Sequence, residues 1–179
     1  HLEQEELNSP RSIKRARHSI RIMERYLEAA RQQLRSENRR VSFDAKKELE
    51  QLKPVLIPIA RRRNIRLHFE TSERSQLIGD PVQFQQIMTN LIMNAMDAYE
   101  GASPDINPVV RITLTSTQRY LTVKVRDRGT GIPAKHLSLI FEPFYTTKPS
   151  RRTSGLGFGL ASVKHYVEDA FGGTIHVTS

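Results

Sequence analysis

The stretch from Val82 to Met96 alternates apolar and polar residues with the period of an α-helix and contains no charged side chain. Asp80 and Pro81 precede it and favour a helix start, because aspartate caps free N–H groups and proline needs no hydrogen bond at the first helical position. The apolar positions form one wide face: Phe84, Ile87, Met88, Leu91, Ile92 and Ala95. The polar positions form a second stripe: Gln83, Gln86, Asn90, Asn94 and Asp97.

This polar stripe has two interpretations. A solvent-exposed face is the more common one for an amphipathic helix, but such faces are normally built from Lys, Glu and Arg, and asparagine is a poor helix former. We therefore interpret the stripe as the wall of a polar pocket. An amide oxygen there can ligate Mg²⁺ that already carries phosphate, and the carboxylate of Asp97 can order water around the ion.

A longer helical pattern lies near the start of the chain, where apolar residues between Ile13 and Leu34 recur three and four positions apart over three heptads. This seam predicts a helix of a bundle or coiled coil. The pattern breaks between Glu37 and Arg40, which predicts a boundary between a helical segment over residues 1–38 and a second domain over residues 39–179.

Beyond this boundary the pattern predicts a mixture of helices and strands. A short strand over residues 41–43 precedes a helix from Asp44 to about Arg63, which Pro54 should break or kink. A further helix is expected over residues 158–171. Alternating residues predict strands, the third and fourth of them an antiparallel hairpin, at residues 65–69, 76–79, 110–115, 121–125 and 174–177.

Composition narrows the class of protein. With 179 residues, 37% hydrophobic and 26% charged, the chain suits one globular domain with an appendage. It has no cysteine, which excludes disulfides and indicates a reducing or indifferent compartment, and no apolar run of membrane-spanning length.

The formal net charge of +9 is concentrated on the heptad helix, where ten basic residues stand against three glutamates between Ser9 and Arg40. We interpret these charges first as the solvated face around a packing seam, and second as a surface for an acidic protein. Nucleic-acid binding ranks last, because no aromatic or glycine-rich element accompanies the arginines.

The second strand of the hairpin runs into Asp127-Arg-Gly-Thr-Gly-Ile-Pro133. A carboxylate held by a strand end can accept a hydrogen bond from an exocyclic amine such as that of adenine, and Gly129 and Gly131 let the backbone approach a flat ligand. The alternative interpretation is a simple turn in which Asp127 is the turn residue.

A second glycine motif, Gly155-Leu-Gly-Phe-Gly159-Leu160, opens the last predicted helix. Glycines at this place expose backbone N–H groups and the positive end of the helix dipole to phosphate, although they also ease a turn. The motif is neither a Rossmann fingerprint nor a P-loop, because the βαβ unit and the Lys-Ser/Thr pair are missing.

Between the two glycine motifs, an aromatic segment from Leu139 to Lys148 leads into a polar loop over residues 149–154. Such a segment suits a lid over a ligand, and Lys148, Arg151 and Arg152 can meet phosphate charge. Plain core packing is an equally good interpretation of Phe141 and Phe144, and is compatible with a lid.

In this order, the four pieces resemble the nucleotide-binding domain of sensor histidine kinases, in the ATPase superfamily shared with gyrase, the ninety-kilodalton heat-shock chaperone and the MutL mismatch-repair proteins. Asn90-Leu-Ile-Met-Asn94-Ala is similar to the N box and Asp127-x-Gly-x-Gly131 to the G1 box. Phe141-Glu-Pro-Phe144 is similar to the F box and Gly155-x-Gly-x-Gly159 to the G2 box. The resemblance covers residues 41–179.

The resemblance implies an α/β (α+β) fold of the Bergerat type, a two-layer sandwich of a mixed sheet and helices preceded by one long heptad helix. It implies ATP and Mg²⁺ as cofactors, with Asp127 at the adenine amine, Asn94 as the Mg²⁺ ligand and the G2 glycines facing the phosphates. The implied catalytic residues are Asn90, Asn94 and Lys148. The implied nucleotide-binding residues are Asn94, Asp97, Asp127, Gly129, Gly131, Ile132, Phe141, Phe144, Thr147, Lys148, Gly155, Leu156, Gly157, Phe158, Gly159 and Leu160.

Asn90, which lies one turn before Asn94, favours the histidine kinase branch of the superfamily. Gyrase and MutL carry a water-activating glutamate there, whereas Asn90 is an amide that cannot serve as a general base. We therefore expect transfer of the γ-phosphoryl group of ATP to a protein histidine rather than hydrolysis. The alternatives are a degenerate, nucleotide-regulated binding module without kinase activity and nucleic-acid binding through the arginine-rich helix.

The resemblance also implies partners. Residues 1–38 resemble the second helix of the dimerisation and phosphotransfer hairpin, but the family's acceptor histidine precedes an acidic residue, whereas His18 precedes Ser19 and His1 precedes Leu2. We expect this chain to bind ATP without phosphorylating itself, the acceptor helix and homodimer partner belonging to the full-length protein. A response-regulator receiver domain is the expected downstream partner, and no nucleic acid is expected.

The expected location is the cytoplasmic side of a membrane-anchored sensor, with membrane contact only through N-terminal regions outside this sequence. The family usually adds a closing strand after the position of Ser179, so we expect the last strand to be truncated. The run Glu168–Gly173 and the lid residues Thr146–Lys148 also resemble quorum-sensing kinases that detect small ketone autoinducers.

Overall fold

A computed structural model describes residues 40–102, 107–147 and 157–179. The heptad helix predicted within residues 1–38 lies outside the described residues, as do Lys148, Gly155 and Leu156. In chain order the elements are strand β1 (Val41–Asp44), helix α1 (Ala45–Arg62), β2 (Arg66–Thr71), β3 (Gln76–Gly79), α2 (Pro81–Asp97), β4 (Val109–Ser116), β5 (Leu121–Arg126), α3 (Ala134–Leu137), α4 (Gly159–His165) and a π-helical turn (Tyr166–Ala170).

Strand β4 is the centre of a mixed three-stranded sheet. It runs parallel to β2, with Arg66 opposite Val109, and antiparallel to β5, with Arg111 opposite Arg126. Its sequence alternates, so that Val110, Ile112 and Leu114 are fully buried on one face while Arg111 is exposed on the other. Strands β1 and β3 form a separate antiparallel pair.

The helices cover the buried face of the mixed sheet and complete the second layer. The residues that α1 and α2 bury join those of β4 in one hydrophobic core: Leu49, Leu56, Ala60, Phe84, Met88, Ile92 and Met96. Each fully buried Leu, Ile or Met side chain contributes about 2 to 3 kcal/mol. The predicted two-layer α/β sandwich with a mixed sheet is thus confirmed.

Helix α1 continues through both of its prolines, so the break predicted at Pro54 does not occur. Pro54 and Pro58 are exposed, while Leu49, Leu56 and Ala60 are buried. The carbonyl groups that lose their intrahelical partners therefore lie on the solvent side, where water can satisfy them, and packing of the buried side retains the helix.

The strand predicted over residues 174–177 is not formed. Within the described residues no strand pairs with this segment. Ile175 instead packs against the cluster of Ile87, Val163 and Tyr166, so helical residues partly bury its apolar side chain without any strand pairing. No helix of the described part of the chain is both long and apolar enough to cross a membrane.

Asp44 joins the start of α1 to the loop between β2 and β3. Its carboxylate accepts hydrogen bonds from the N–H of Lys46 at 3.0 Å and from the hydroxyl of Ser75, a buried residue. The carbonyl oxygen of Ser75 accepts a bond from the N–H of Ala45 at 2.8 Å. The bond from Ser75 lowers the pKa of Asp44, burial opposes this, and the N–H of Lys46 lowers the pKa further.

The lowered pKa of Asp44 gives a test of its role as the cap of α1. Because the folded-state pKa of Asp44 is lowered, its contribution to stability is complete above the pKa of the unfolded chain and is lost as the pH falls through the folded-state pKa. Asp44→Ala should therefore lower the free energy of unfolding by about 1 kcal/mol at neutral pH. Asp44→Asn keeps an acceptor oxygen but no charge, so its stability should approach that of the wild type at low pH. Urea denaturation of all three chains between neutral and acid pH measures this, and a wild-type advantage over Asp44→Asn that persists in acid would contradict it.

Candidate functional site

Helix α2 presents Asn90 and Asn94 to the start of α4. The side chain of Asp80 caps the helix by accepting the N–H of Val82 at 2.8 Å, and the opposite, apolar face lies in the core. At the first residue of α4, a β-carbon on Gly159 would lie 3.4 Å from Oδ1 of Asn90 and 3.8 Å from Nδ2 of Asn94. Asn90 and Asn94 thus form a half-buried wall of amide groups, the amide wall, beside Gly159, which lies almost seventy positions further along the chain.

The G1 loop, residues 127–133, begins where β5 ends and is held against the C-terminal end of α2. The N–H and the hydroxyl of Thr130 both donate to the carbonyl oxygen of Ala98, at 2.8 and 3.2 Å. A β-carbon on Gly129 would collide with the backbone of Ala98, so only glycine permits this approach. The carboxylate of Asp127 accepts the N–H of Gly129 at 2.9 Å, which fixes its orientation.

The F box follows α3 and contacts the G2 segment, that is, Gly157 and Phe158 of the G2 box. Phe144 has a positive φ of 67° and packs edge-on against Phe158, with 4.5 Å between ring centroids. Gly157, at φ 77°, lies against the backbone of Phe144, and a β-carbon there would approach the Phe144 Cα to 2.8 Å. Phe144 is 47% exposed, so it is not a core residue; Ile140 provides the buried anchor of this segment.

The remaining predicted site residues lie in the G1 loop, in or near the F box and α4, or outside the described residues. Ile132 follows Gly131, and its N–H donates to Oγ of Ser179 at 2.6 Å. Leu160 is half-buried at the start of α4, Thr147 is exposed, and Phe141 lies 6.0 Å from the ammonium nitrogen of Lys164. Lys148, Gly155 and Leu156 lie outside the described residues, so their predicted roles stay predictions.

Asp97 has a close partner that the sequence pattern did not indicate. Its Oδ1 lies 2.5 Å from Nη1 of Arg63, the residue that ends α1, and both side chains are partly exposed. This ion pair joins the C-terminal ends of the two long helices, whose packing rests on the hydrophobic core. The predicted role of Asp97 in ordering water around Mg²⁺ stays a prediction.

Sequence reasoning also missed Tyr99 and Ser179, which both contact the G1 loop through side-chain oxygens. Tyr99 lies just beyond the end of α2 and carries no motif, and the contact of Ser179 spans 47 positions. Packing between segments that are distant in sequence brings these residues to the loop: Tyr99 follows helix α2, and Ser179 belongs to the last segment, which pairs with no strand of the described residues. No local signal in the sequence could have indicated either contact.

The side chains beside Gly159 that could bind a divalent cation are amides. Within the described residues, no group of three His, Cys, Asp or Glu side chains could hold a metal ion. Amide oxygens bind Mg²⁺ mainly when the ion also carries phosphate and water. The wall formed by Asn90 and Asn94 therefore fits an ion that arrives with a nucleotide rather than a resident metal.

Several solved structures and curated proteins are similar to this chain. The catalytic domain of histidine kinase ThkA is 26% identical, with a TM-score of 0.62 over 74% of this chain and 82% of that domain. Sensor histidine kinase ZraS of Escherichia coli K12 is 35% identical over 121 residues, which is 67% of this chain and 24% of ZraS. Sensor histidine kinase RcsC of Salmonella typhimurium is 32% identical over 134 residues, which is 73% of this chain and 13% of RcsC.

The chain thus spans less than a quarter of the length of these curated relatives. A family model described as "Histidine kinase-, DNA gyrase B-, and HSP90-like ATPase" matches residues 79–179, which include α2, the G1 loop, the F box and α4. The chain therefore belongs to this ATPase family and contains the ATP-binding catalytic domain of a two-component histidine kinase.

Proposed function

We propose that this domain binds ATP with Mg²⁺ and transfers the γ-phosphoryl group to a histidine on a phosphoacceptor helix of the full-length protein. The observation that carries the proposal is that Gly159 lies beside Asn90 and Asn94, so close that a β-carbon on it would lie 3.4 and 3.8 Å from their side chains. This brings the G2 motif next to the N motif on helix α2, and the hydroxyl of Thr130 attaches the G1 loop to the end of the same helix. The N, G1 and G2 motifs, which are far apart in sequence, therefore meet at helix α2.

Asp127 is proposed to recognise adenine. One carboxylate oxygen is held by the N–H of Gly129, and the described residues supply no donor to the other. A carboxylate fixed in this way can accept the exocyclic amine of adenine, whereas guanine offers a carbonyl oxygen at the same ring position. Gly129 and Gly131 keep side chains away from the face of the base.

Asn94, with Asn90 beside it, is proposed to hold the Mg²⁺ that accompanies the phosphates. When bound, the ion neutralises the negative charge that develops during phosphoryl transfer. The residues of the chain contribute by positioning: α2 fixes the amides, and Gly159 leaves room beside them because it has no side chain. Lys148 is proposed to add positive charge from the lid.

Transfer to a protein is favoured over hydrolysis because Asn90 is an amide. A water molecule near the γ-phosphate would need a base to remove its proton, and an amide has no useful basicity. A histidine imidazole, in contrast, attacks through a nitrogen lone pair without prior loss of a proton. The quorum-sensing subtype stays a prediction without further support.

The partners follow from the same proposal. ThkA has been solved in a complex with the response regulator protein TrrA; at 22% identity this structure shows the likeness in fold. We infer a response-regulator receiver domain as the acceptor of the phosphoryl group downstream. We further propose that residues 1–38 form a separate helical segment of the dimerisation hairpin and that the domain works in the cytoplasm, where ATP is available.

Binding of a non-hydrolysable ATP analogue tests the nucleotide site. Calorimetric titration should show binding that Mg²⁺ strengthens, and Asp127→Asn should weaken it at least about tenfold, the cost expected for one charged hydrogen bond. Glu168→Gln removes a carboxylate from an exposed position of the π-helical turn and serves as the matched control. Equal affinities of the wild type and Asp127→Asn, with both chains folded by circular dichroism, would refute the assignment of Asp127.

The contact between the F box and the G2 segment gives a second test. Gly157→Ala and Gly101→Ala both place a side chain at a positive φ, which costs about 1 to 2 kcal/mol. A β-carbon has open space around Gly101, whereas at Gly157 it collides with the backbone of Phe144. Gly157→Ala should therefore lower affinity for the ATP analogue several-fold more than Gly101→Ala, which carries the same backbone strain without the collision. Equal nucleotide affinities of the two variants would show that this contact is not part of the site.

The absence of a base at Asn90 predicts slow hydrolysis. Phosphate release by the wild-type chain with ATP and Mg²⁺ should stay near the uncatalysed rate even when the nucleotide site is saturated. Asn94→Ala should weaken binding in the presence of Mg²⁺ and leave binding without Mg²⁺ almost unchanged. Rapid phosphate release by the wild type would contradict the choice of phosphoryl transfer over hydrolysis.

A further inference from the structure

The hydroxyl of Tyr99 lies at the meeting point of three elements. It donates to the carbonyl oxygen of Val109 at 2.8 Å and accepts the N–H groups of Val109 at 3.2 Å and Arg128 at 2.9 Å. One donor and two lone pairs are all that a tyrosine hydroxyl offers, so its hydrogen-bonding capacity is fully used. Its half-buried ring packs against the hydrophobic core, which fixes the hydroxyl in place.

This hydroxyl lies where the β4–β5 ladder would otherwise continue. Arg111 is opposite Arg126 in the antiparallel pair, and the same register continued by two residues would place Val109 opposite Arg128. In such a pair the two backbones exchange their N–H and C=O groups directly. Here the Tyr99 hydroxyl takes the N–H of Arg128 and both backbone groups of Val109. It therefore ends the ladder at Arg126 and separates the chain that follows from β4.

The neighbouring residue Ala98 holds the next part of the same loop. Its carbonyl oxygen accepts both hydrogen bonds of Thr130, and Gly129 lies against its backbone. Residues 98 and 99 together thus fix Arg128, Gly129 and Thr130. The G1 loop is positioned by the end of α2, the helix that carries Asn90 and Asn94 at its other polar positions.

We propose that Tyr99 is a positioning residue for adenine recognition: its hydroxyl separates the G1 loop from β4 and sets Asp127 relative to the amide wall of α2. This inference rests on the proposed nucleotide site and adds the residue that fixes its geometry. Asp127 immediately precedes Arg128, so the bond to the Arg128 N–H fixes the backbone one residue from the carboxylate. Loss of this bond frees the loop and weakens discrimination of the base.

Tyr99→Phe tests the proposal, because it removes only the oxygen and keeps the ring in the core. Tyr120→Phe, which removes the same atom from a side chain that is 72% exposed at the β4–β5 turn, is the matched control. Without nucleotide, amide hydrogen exchange monitored by NMR should show the N–H of Arg128 exchanging at least about tenfold faster in Tyr99→Phe, since it loses its acceptor. Tyr120→Phe should leave this exchange rate unchanged.

Nucleotide titrations then separate a positioning role from a structural one. In Tyr99→Phe the affinity for the ATP analogue should fall about tenfold, and the ratio of ATP-analogue to GTP-analogue affinity should fall with it. A merely structural tyrosine would lower the melting temperature and leave this ratio as in the wild type, which would overturn the proposal. Unchanged exchange at Arg128 would overturn it as well.

A second variant, Thr130→Val, keeps the proposal testable if Tyr99→Phe does not fold. Thr130→Val removes the hydroxyl bond to Ala98 and keeps the backbone bond, so it should lower the same affinity ratio by a smaller factor while Arg128 stays protected. If the wild-type chain bound no nucleotide, both the proposed function and the role of Tyr99 in base selection would be refuted. The exchange data would then still decide whether the hydroxyl holds the loop.

Discussion

Burial of the apolar face of α2 fixes the direction of every polar side chain on that helix. Met88, Ile92 and Met96 are fully buried against α1 and β4, and any rotation of the helix about its axis would expose them. At about 2 to 3 kcal/mol for each of these side chains, such a rotation would cost a large part of the roughly 5 to 15 kcal/mol by which a domain is stable. Asn90 and Asn94 are therefore held on the opposite side, where Gly159 meets them.

The C-terminal end of the same helix is a second fixed point. Within three consecutive residues, Asp97 pairs with Arg63, the carbonyl oxygen of Ala98 accepts both donors of Thr130, and Tyr99 holds Arg128. The helix thus carries the amide wall at its middle and the loop of the proposed adenine site at its end. Because one rigid helix carries both, their separation is set by the rise of 1.5 Å per residue.

The F box is less buried than the core of the domain. Phe144 is held by a ring contact with Phe158 and by the close approach of Gly157, and nearly half of its surface is exposed. Met88, Ile92 and Met96 of α2 are, in contrast, fully buried. Displacing the amide wall would therefore disrupt the hydrophobic core, whereas the half-exposed ring of Phe144 lies outside that core.

The sequence predicted the elements whose signals are local. The Asp80-Pro81 start and the period of α2, the alternation of β4 and β5, and the end of β5 at the G1 loop all appear in the structure, because periodicity reports directly which side of an element is buried. The same local reasoning failed at Pro54, where solvent exposure of the proline side lets the helix continue, and at residues 174–177, where Ile175 packs on helical residues and no strand pairing forms.

The sequence by itself determined the four motifs, their order and the family to which they point, because these depend on residue types at fixed spacings. The tertiary structure alone decided how the motifs meet. Gly159 lies beside Asn90 and Asn94, and Gly157 lies against the backbone of Phe144. The Tyr99 hydroxyl forms hydrogen bonds with the backbones of both Val109 and Arg128. These contacts arise from strand register and helix packing between distant segments, and no local pattern encodes a contact whose two sides are positioned by the core as a whole.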